Sequence, residues 1–206
     1  MLSMPTSRTR PKPVDRYHHG DLRAALLREA GHVLATAGPE ALSLRELARA
    51  LGVSHNAPYK HFATRDALLA ALATEGFREL TADGHEAAAN APPDEVMRAR
   101  AMAYIRFALR RPAVFKLMFS RDVSGRAHAE LGGAARAGFF ALRHAVASGA
   151  TDRTANDAAL AAWAFVHGIA HLLIDKQIPE VLGAGRPPEE LARDMVRAFG
   201  RPRGGS

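Results

Sequence analysis

The stretch Ser43–Phe62, SLRELARALGVSHNAPYKHF, constrains the rest of the chain most tightly. Leu44, Leu47, Ala48 and Leu51 recur at i, i+3, i+4 and i+7, the apolar stripe of one short helix. Ser43 stands where a hydroxyl can cap that helix, and Glu46 completes a capping box. Gly52 follows the last periodic residue, where helices commonly end in a left-handed turn. Val53 then buries, Ser54 offers a second cap, and a second short helix is expected to run through Tyr59 to Phe62. Two short helices joined by a tight glycine turn form either a plain hairpin in a bundle or a helix-turn-helix. In the second case the later helix fits a DNA major groove.

The outward residues favour the second case. His55, Asn56, Lys60 and His61 can all reach base edges or phosphates. Pro58 complicates the later helix. If Ser54 caps it, Pro58 deletes its first internal hydrogen bond. If Asn56 caps it, Pro58 lies in the first turn and costs little. The second placement is preferred, with a late or distorted helix start, and it leaves open which of His55 and Asn56 faces a base.

These residues carry a resemblance to the TetR family of transcriptional regulators. The family pattern is close to S-L-R-x-[LI]-A-x-x-x-G-V-S-x-x-x-x-Y-x-H-F. It is matched by Ser43, Leu44, Arg45, Leu47, Ala48, Gly52, Val53, Ser54, Tyr59, His61 and Phe62, with Arg65, Asp66, Leu68 and Leu69 after them. The match covers roughly residues 20–72, and Pro58 departs from it by replacing an aliphatic residue. Further on, Trp163–Gly168 (WAFVHG) is similar to the signature of the WHG-type C-terminal domain of some members. The resemblance implies an all-α chain with two parts. The first is an N-terminal three-helix helix-turn-helix domain; the second is a C-terminal helical domain for ligand binding and dimerisation. For DNA contact it points to Ser43, Arg45, Ser54, His55, Asn56, Tyr59, Lys60, His61 and Arg65.

The rest of the chain reads as a succession of helices with no strand signal. Residues 1–16 are Pro- and Ser-rich, with four basic residues against Asp15, and read as a disordered basic arm. A first helix is expected from Gly20–Asp21 to Ala37, and a fourth from a Thr64 cap with its stripe at Leu68, Leu69, Leu72, Phe77 and Leu80. After a turn-rich break at Asn90–Pro93 come helices over about Asp94–Arg111, Pro112–Phe119, Ala127–Ser148, Thr154–Lys176 and a last amphipathic one ending near Phe199. The expected division is a DNA-binding domain at 17–66, a ligand-binding and dimerisation domain at 67–200, and a disordered tail at 201–206.

Two segments of the second domain stand out. Met and aromatic residues crowd residues 97–119; at helical spacing these are usually core, but soft, large side chains also line apolar cavities. The family resemblance implies such a cavity, with Tyr104, Phe107, Met118, Phe119, Trp163 and His167 as its candidate residues. The helix around Trp163 is apolar nearly all round and needs cover on two sides. Small residues at Ala161, Ala164 and Gly168 mark the side where a second chain could pack, so a homodimer is expected.

Composition limits the alternatives. The net charge of +7 suits a polyanionic partner, here double-stranded DNA with a near-palindromic operator. The absence of cysteine excludes disulfides, thiol catalysis and thiolate metal sites and fits a reducing cytoplasm. No uninterrupted run of about 18 apolar residues occurs, so no membrane span is expected. His167 and His171 have the spacing of two metal ligands on one helix, but Gly168 stands where a hydrolytic zinc site has glutamate. The expected function is a DNA-binding regulator, a repressor released by a small apolar effector. It is not an enzyme and needs no metal or cofactor. A metal-dependent hydrolase using His167 and His171, and a non-specific architectural DNA protein, remain as alternatives.

Overall fold

The computed structural model describes residues 22–146, 152–183 and 185–199. The expected basic arm, the C-terminal tail and the opening of the first helix at Gly20–Asp21 lie outside them. Among the described residues the fold is all α, without strands. The helices are α1 (Leu22–Ala37), α2 (Leu44–Ala50), α3 (Arg65–Ala89), α4 (Val96–Arg110), α5 (Pro112–Met118), α6 (Ala129–Val146), α7 (Asp152–Ile174), α8 (Glu180–Gly183) and α9 (Pro188–Phe199). Single 3-10 turns occupy Pro39–Ala41 and Pro58–Lys60.

Local chemistry explains most of these limits. The Thr64 hydroxyl accepts the Ala67 N–H at 3.1 Å and opens α3 as expected. At the end of α2, Gly52 takes φ 66° and Val53 donates back to the Ala48 carbonyl at 3.0 Å, a Schellman ending. The start of α2 departs from expectation. Ser43 is extended at the cap position but makes no side-chain bond to the helix. Glu46 turns away to pair with Arg49, so the capping box is not formed.

Pro58 has the larger effect. Without an N–H at Pro58, the Ser54 carbonyl takes the Ala57 N–H instead, at 2.9 Å, and the chain tightens into a turn. Pro58 itself is fully buried and begins the 3-10 turn directly after Ala57. The expected second helix of the pair is thereby reduced to this compact turn, and neither Ser54 nor Asn56 occupies the position before it.

One apolar core runs from the head into the body. Leu26, Leu34, Leu47 and Phe62 join α1, α2 and the 58–62 turn to Leu68, Leu69 and Leu72 of α3, and the same cluster continues to Phe107, Phe115 and Met118. The boundary expected at residue 66 therefore falls where the core is continuous. A smaller cluster, Met102, Ile105, Ile169, Leu173, Leu191 and Val196, holds α4, α7 and α9 together. On the side of α3 facing α4, Glu79 accepts from Arg110 at 2.9 Å and also pairs with Arg111, while Asp83 accepts from Arg110 at 2.8 Å. Burial disfavours the Glu79 charge, but the two guanidinium groups more than offset this and hold its carboxyl below the usual range.

A close approach in the body is at Gly76 of α3. A methyl there would lie 2.7 Å from Met118 Sδ and 2.8 Å from Val114 Cγ1 of α5. Helix propensity favours Ala over Gly by at most about 1 kcal/mol, whereas overpacking costs about 1–3 kcal/mol. Gly76→Ala should therefore lower stability by about 1 kcal/mol, and Gly76→Val by more, in denaturant titration. An unchanged or raised midpoint would show that α3 and α5 separate freely.

Candidate DNA-reading head and effector cavity

The buried Leu and Phe side chains of the head leave a contiguous polar surface outside. Ser54, His55, Asn56, Lys60 and His61 are exposed, and Tyr59 is 44% exposed despite its aromatic ring. Arg45 is exposed on α2, and Ser43 is half-buried beside it. Arg65 is turned differently. It donates to the Pro39 carbonyl and lies 3.7 Å from Glu40, so it braces the α1–α2 connection. The tight turn thus presents its donors close together, followed at once by the start of α3. His128, ahead of α6, reaches that same start and places Nε2 2.6 Å from Asp66 Oδ2.

The body contains a cavity of about 570 Å³ between α3, α4, α6 and α7. This lies within the usual range for small-molecule sites. Tyr104, Met118, Phe119 and Trp163 line it, as do Phe77, Leu80, Phe139 and Leu142. Phe107, expected beside them, is instead fully buried in the main core, packed behind the wall and covered by Arg110. His167 also stands behind the wall. Its ring stacks edge-on against Phe119 at 4.6 Å, and its Nδ1 lies 2.8 Å from the Tyr104 hydroxyl.

That hydroxyl joins three rings. Trp163 Nε1 can only donate, and it gives its proton to Tyr104 at 3.2 Å. The Tyr104 hydroxyl and His167 Nδ1 share a hydrogen bond at 2.8 Å whose direction follows the tautomer of His167. Burial, helped by the neighbouring His171, pushes the His167 pKa down, and burial pushes that of Tyr104 up against the opposing effect of the Trp163 donor. His171 lies 3.5 Å from Asp175, which also pairs with Lys116. Among the described residues no group of three or more His, Cys, Asp or Glu side chains is placed to hold a metal ion.

Arg100 is a cavity residue that the sequence reading passed over. Its Nε is buried and has no hydrogen-bond partner among the described residues. The signal was present: Arg100 falls on the same helical stripe as Met97, Ala101 and Tyr104. Its charge alone made it read as surface.

The family model for bacterial regulatory proteins of the TetR family matches residues 26–72. A second, for the tetracyclin repressor-like C-terminal domain, matches residues 97–199, half of the chain. The chain belongs to the TetR family. The WAFVHG motif lies inside the second match. A solved protein of unknown function from Rhodococcus sp. RHA1 is 36% identical with a TM-score of 0.76, over 89% of this chain and 95% of that one. The TetR family transcriptional regulator PfmR from Thermus thermophilus is 25% identical with a TM-score of 0.62, over 85% and 99% of the two chains. The HTH-type transcriptional repressor Rv3405c of Mycobacterium tuberculosis is 32% identical over 99 residues, 48% of this chain. This TetR-family chain spans about half the length of the curated relatives it matches, 50%.

Helix α7 shows what the search for apolar runs missed. Arg153–Ile174 is long and apolar enough to cross a membrane by length and composition, although Asp157, His167 and His171 interrupt the run. In this fold it packs on α4, α6 and α9, and most of its apolar stretch is not buried. Leu160, Ala161, Ala164, Gly168 and Leu172 face outward, and Phe140 of α6 is 58% exposed.

The lowered pKa of His167 has a pH consequence. On acidification the unfolded chain takes up a proton near the ordinary value of 6.5, while folded His167 resists it. Stability should thus fall as pH drops below that value, and be fully present above it. His167→Gln should flatten this part of the stability–pH curve relative to the wild type. Parallel curves for the two proteins would mean that His167 titrates alike in both states.

Proposed function

We propose that this TetR-family protein is a sequence-specific DNA-binding repressor, homodimeric and released from its operator by a small, largely apolar effector. The observation that carries the DNA reading is the contiguous exposure of His55, Asn56, Tyr59, Lys60 and His61 on a turn anchored by buried Pro58 and Phe62. Such a turn offers donors to both phosphates and base edges. Arg45, Ser43 and Ser54 stand beside it as phosphate contacts. The relative from M. tuberculosis is named a repressor, which supports repression rather than activation.

The dimer reading rests on the bare face of α7. Large exposed Leu160 and Leu172 flank the small residues Ala161, Ala164 and Gly168, and a methyl on Gly168 would meet nothing within 4 Å in the single chain. The effector reading rests on the cavity. Met118 and Phe119 form part of its wall, and Met118 also fills the space over Gly76 of α3. An occupant that displaces Met118 acts on the helix that begins at the DNA-reading turn. A coupling of about 1–3 kcal/mol is enough to regulate binding. A metal-dependent hydrolase draws no support from the His167 ring, whose Nδ1 is engaged by Tyr104.

Selection from a random DNA pool tests this reading. The wild type should enrich a near-palindrome whose half-sites lie about one helical turn, or a multiple of it, apart. Arg45→Ala and Lys60→Ala should keep the thermal midpoint and weaken binding, losing about one unit of salt slope for a phosphate contact or about 1–3 kcal/mol at one position for a base contact. Gly168→Leu, which a single chain accommodates, should weaken dimerisation in sedimentation and operator affinity with it. Enrichment of no sequence, or unchanged binding by both head variants, would overturn the assignment.

A further inference from the structure

The polar groups of the cavity wall are almost all satisfied within the protein. The Thr81 hydroxyl donates to the Phe77 carbonyl at 2.8 Å. Tyr104 and Trp163 are committed to the chain that ends on His167. Arg98 pairs with Glu95 at 2.8 Å. Each of these presents only carbon, or a spent polar atom, to an occupant. Arg100 is different.

Arg100 lines the same cavity and makes no hydrogen bond or ion pair among the described residues, although its Nε is buried. Three acids of the facing helix are engaged elsewhere. Glu79 and Asp83 hold Arg110, and Glu75 lies 3.8 Å from Arg23. The guanidinium lies along α3 where there is no side chain: a methyl on Gly84 would come within 3.9 Å of Arg100 Nη1. A guanidinium stays protonated at any physiological pH, so the cavity holds a permanent positive charge without a counter-charge. Leaving such a group partly desolvated and unpaired is costly, and a carboxylate matches its planar fork in two parallel hydrogen bonds.

We propose that the effector of this cavity is an amphipathic carboxylate: an apolar body held among Phe77, Leu80, Phe119, Phe139, Leu142 and Trp163, with its carboxylate on Arg100. This rests on the reading of the cavity as the effector site and adds the charge and polarity of the occupant. Uncharged apolar molecules fit the walls equally well but leave Arg100 as it is. Cations are repelled by it.

The test uses the full chain and its single tryptophan. Octanoate, decanoate and dodecanoate are titrated against Trp163 fluorescence, each beside its own primary alcohol. At least one carboxylate should bind the wild type about 10- to 100-fold more tightly than its alcohol, the range of a charge-assisted hydrogen-bonded pair. Arg100→Met should abolish this preference while leaving alcohol binding unchanged, and Arg100→Lys should restore part of it. Thermal unfolding of both variants verifies that they fold. Equal binding of acid and alcohol by the wild type, or a preference that persists in Arg100→Met, overturns the carboxylate proposal alone. If neither acids nor alcohols perturb Trp163 or compete with operator DNA, the effector reading falls, and this proposal with it.

Discussion

Helices α3 and α5 touch at a point where α3 has no side chain, and this contact lies between the cavity wall and the helix that begins at the exposed turn. Met118 and Val114 occupy the space over Gly76, so neither can shift without moving α3 or opening a void. Met118 is also a wall of the cavity. Phe115 and Phe119 meet edge-on at 5.2 Å, and Phe119 continues to Trp163 of α7 at 6.0 Å. The opposite end of α3 starts at the Thr64 cap, two residues beyond the buried Phe62. In the proposed effector reading, a ligand that moves Met118 works against packing whose disturbance costs about 1–3 kcal/mol. That is the same magnitude that regulation requires.

Electrostatics fix the frame in which this movement occurs. Arg110 and Arg111 tie the end of α4 to Glu79 and Asp83 of α3. His128 ties the segment before α6 to Asp66 at the first turn of α3. Two of the helices around the cavity, α4 and α6, are thus attached to α3 at different heights. Local pairs of this kind contribute little to stability when exposed, but here they set which displacements are possible. Among the described residues, Arg100 Nε is buried beside the cavity without a partner.

The head was largely legible in the sequence because its determinants are local. The stripe Leu44, Leu47, Ala48, the positive-φ Gly52 and the Thr64 cap each act within one or two helical turns. Pro58 was legible as a disturbance, though not its result, since the outcome depends on which neighbouring N–H the Ser54 carbonyl can find. The capping box failed in its Glu46 half because that carboxylate pairs with Arg49, and the Ser43 hydroxyl makes no cap bond. Residues of the body were harder to assign. Phe107 and Tyr104 are three apart on one helix, yet Phe107 enters the core and Tyr104 faces the void. Only the packing of α5 decides between them. Gly76 carried no local signal, because its importance lies in what α5 brings against it.

The central claim is that head and cavity share one continuous core and move as one packed unit. Thermal unfolding of the full chain, followed at once by calorimetry and by the emission of Trp163, tests this most directly. Calorimetry registers the whole chain, while Trp163 is the only tryptophan and reports the cavity wall. A continuous core predicts a single transition with coincident midpoints and calorimetric and van't Hoff enthalpies in agreement once association is allowed for. A separate calorimetric transition, in which the head melts while Trp163 emission stays native, would contradict it.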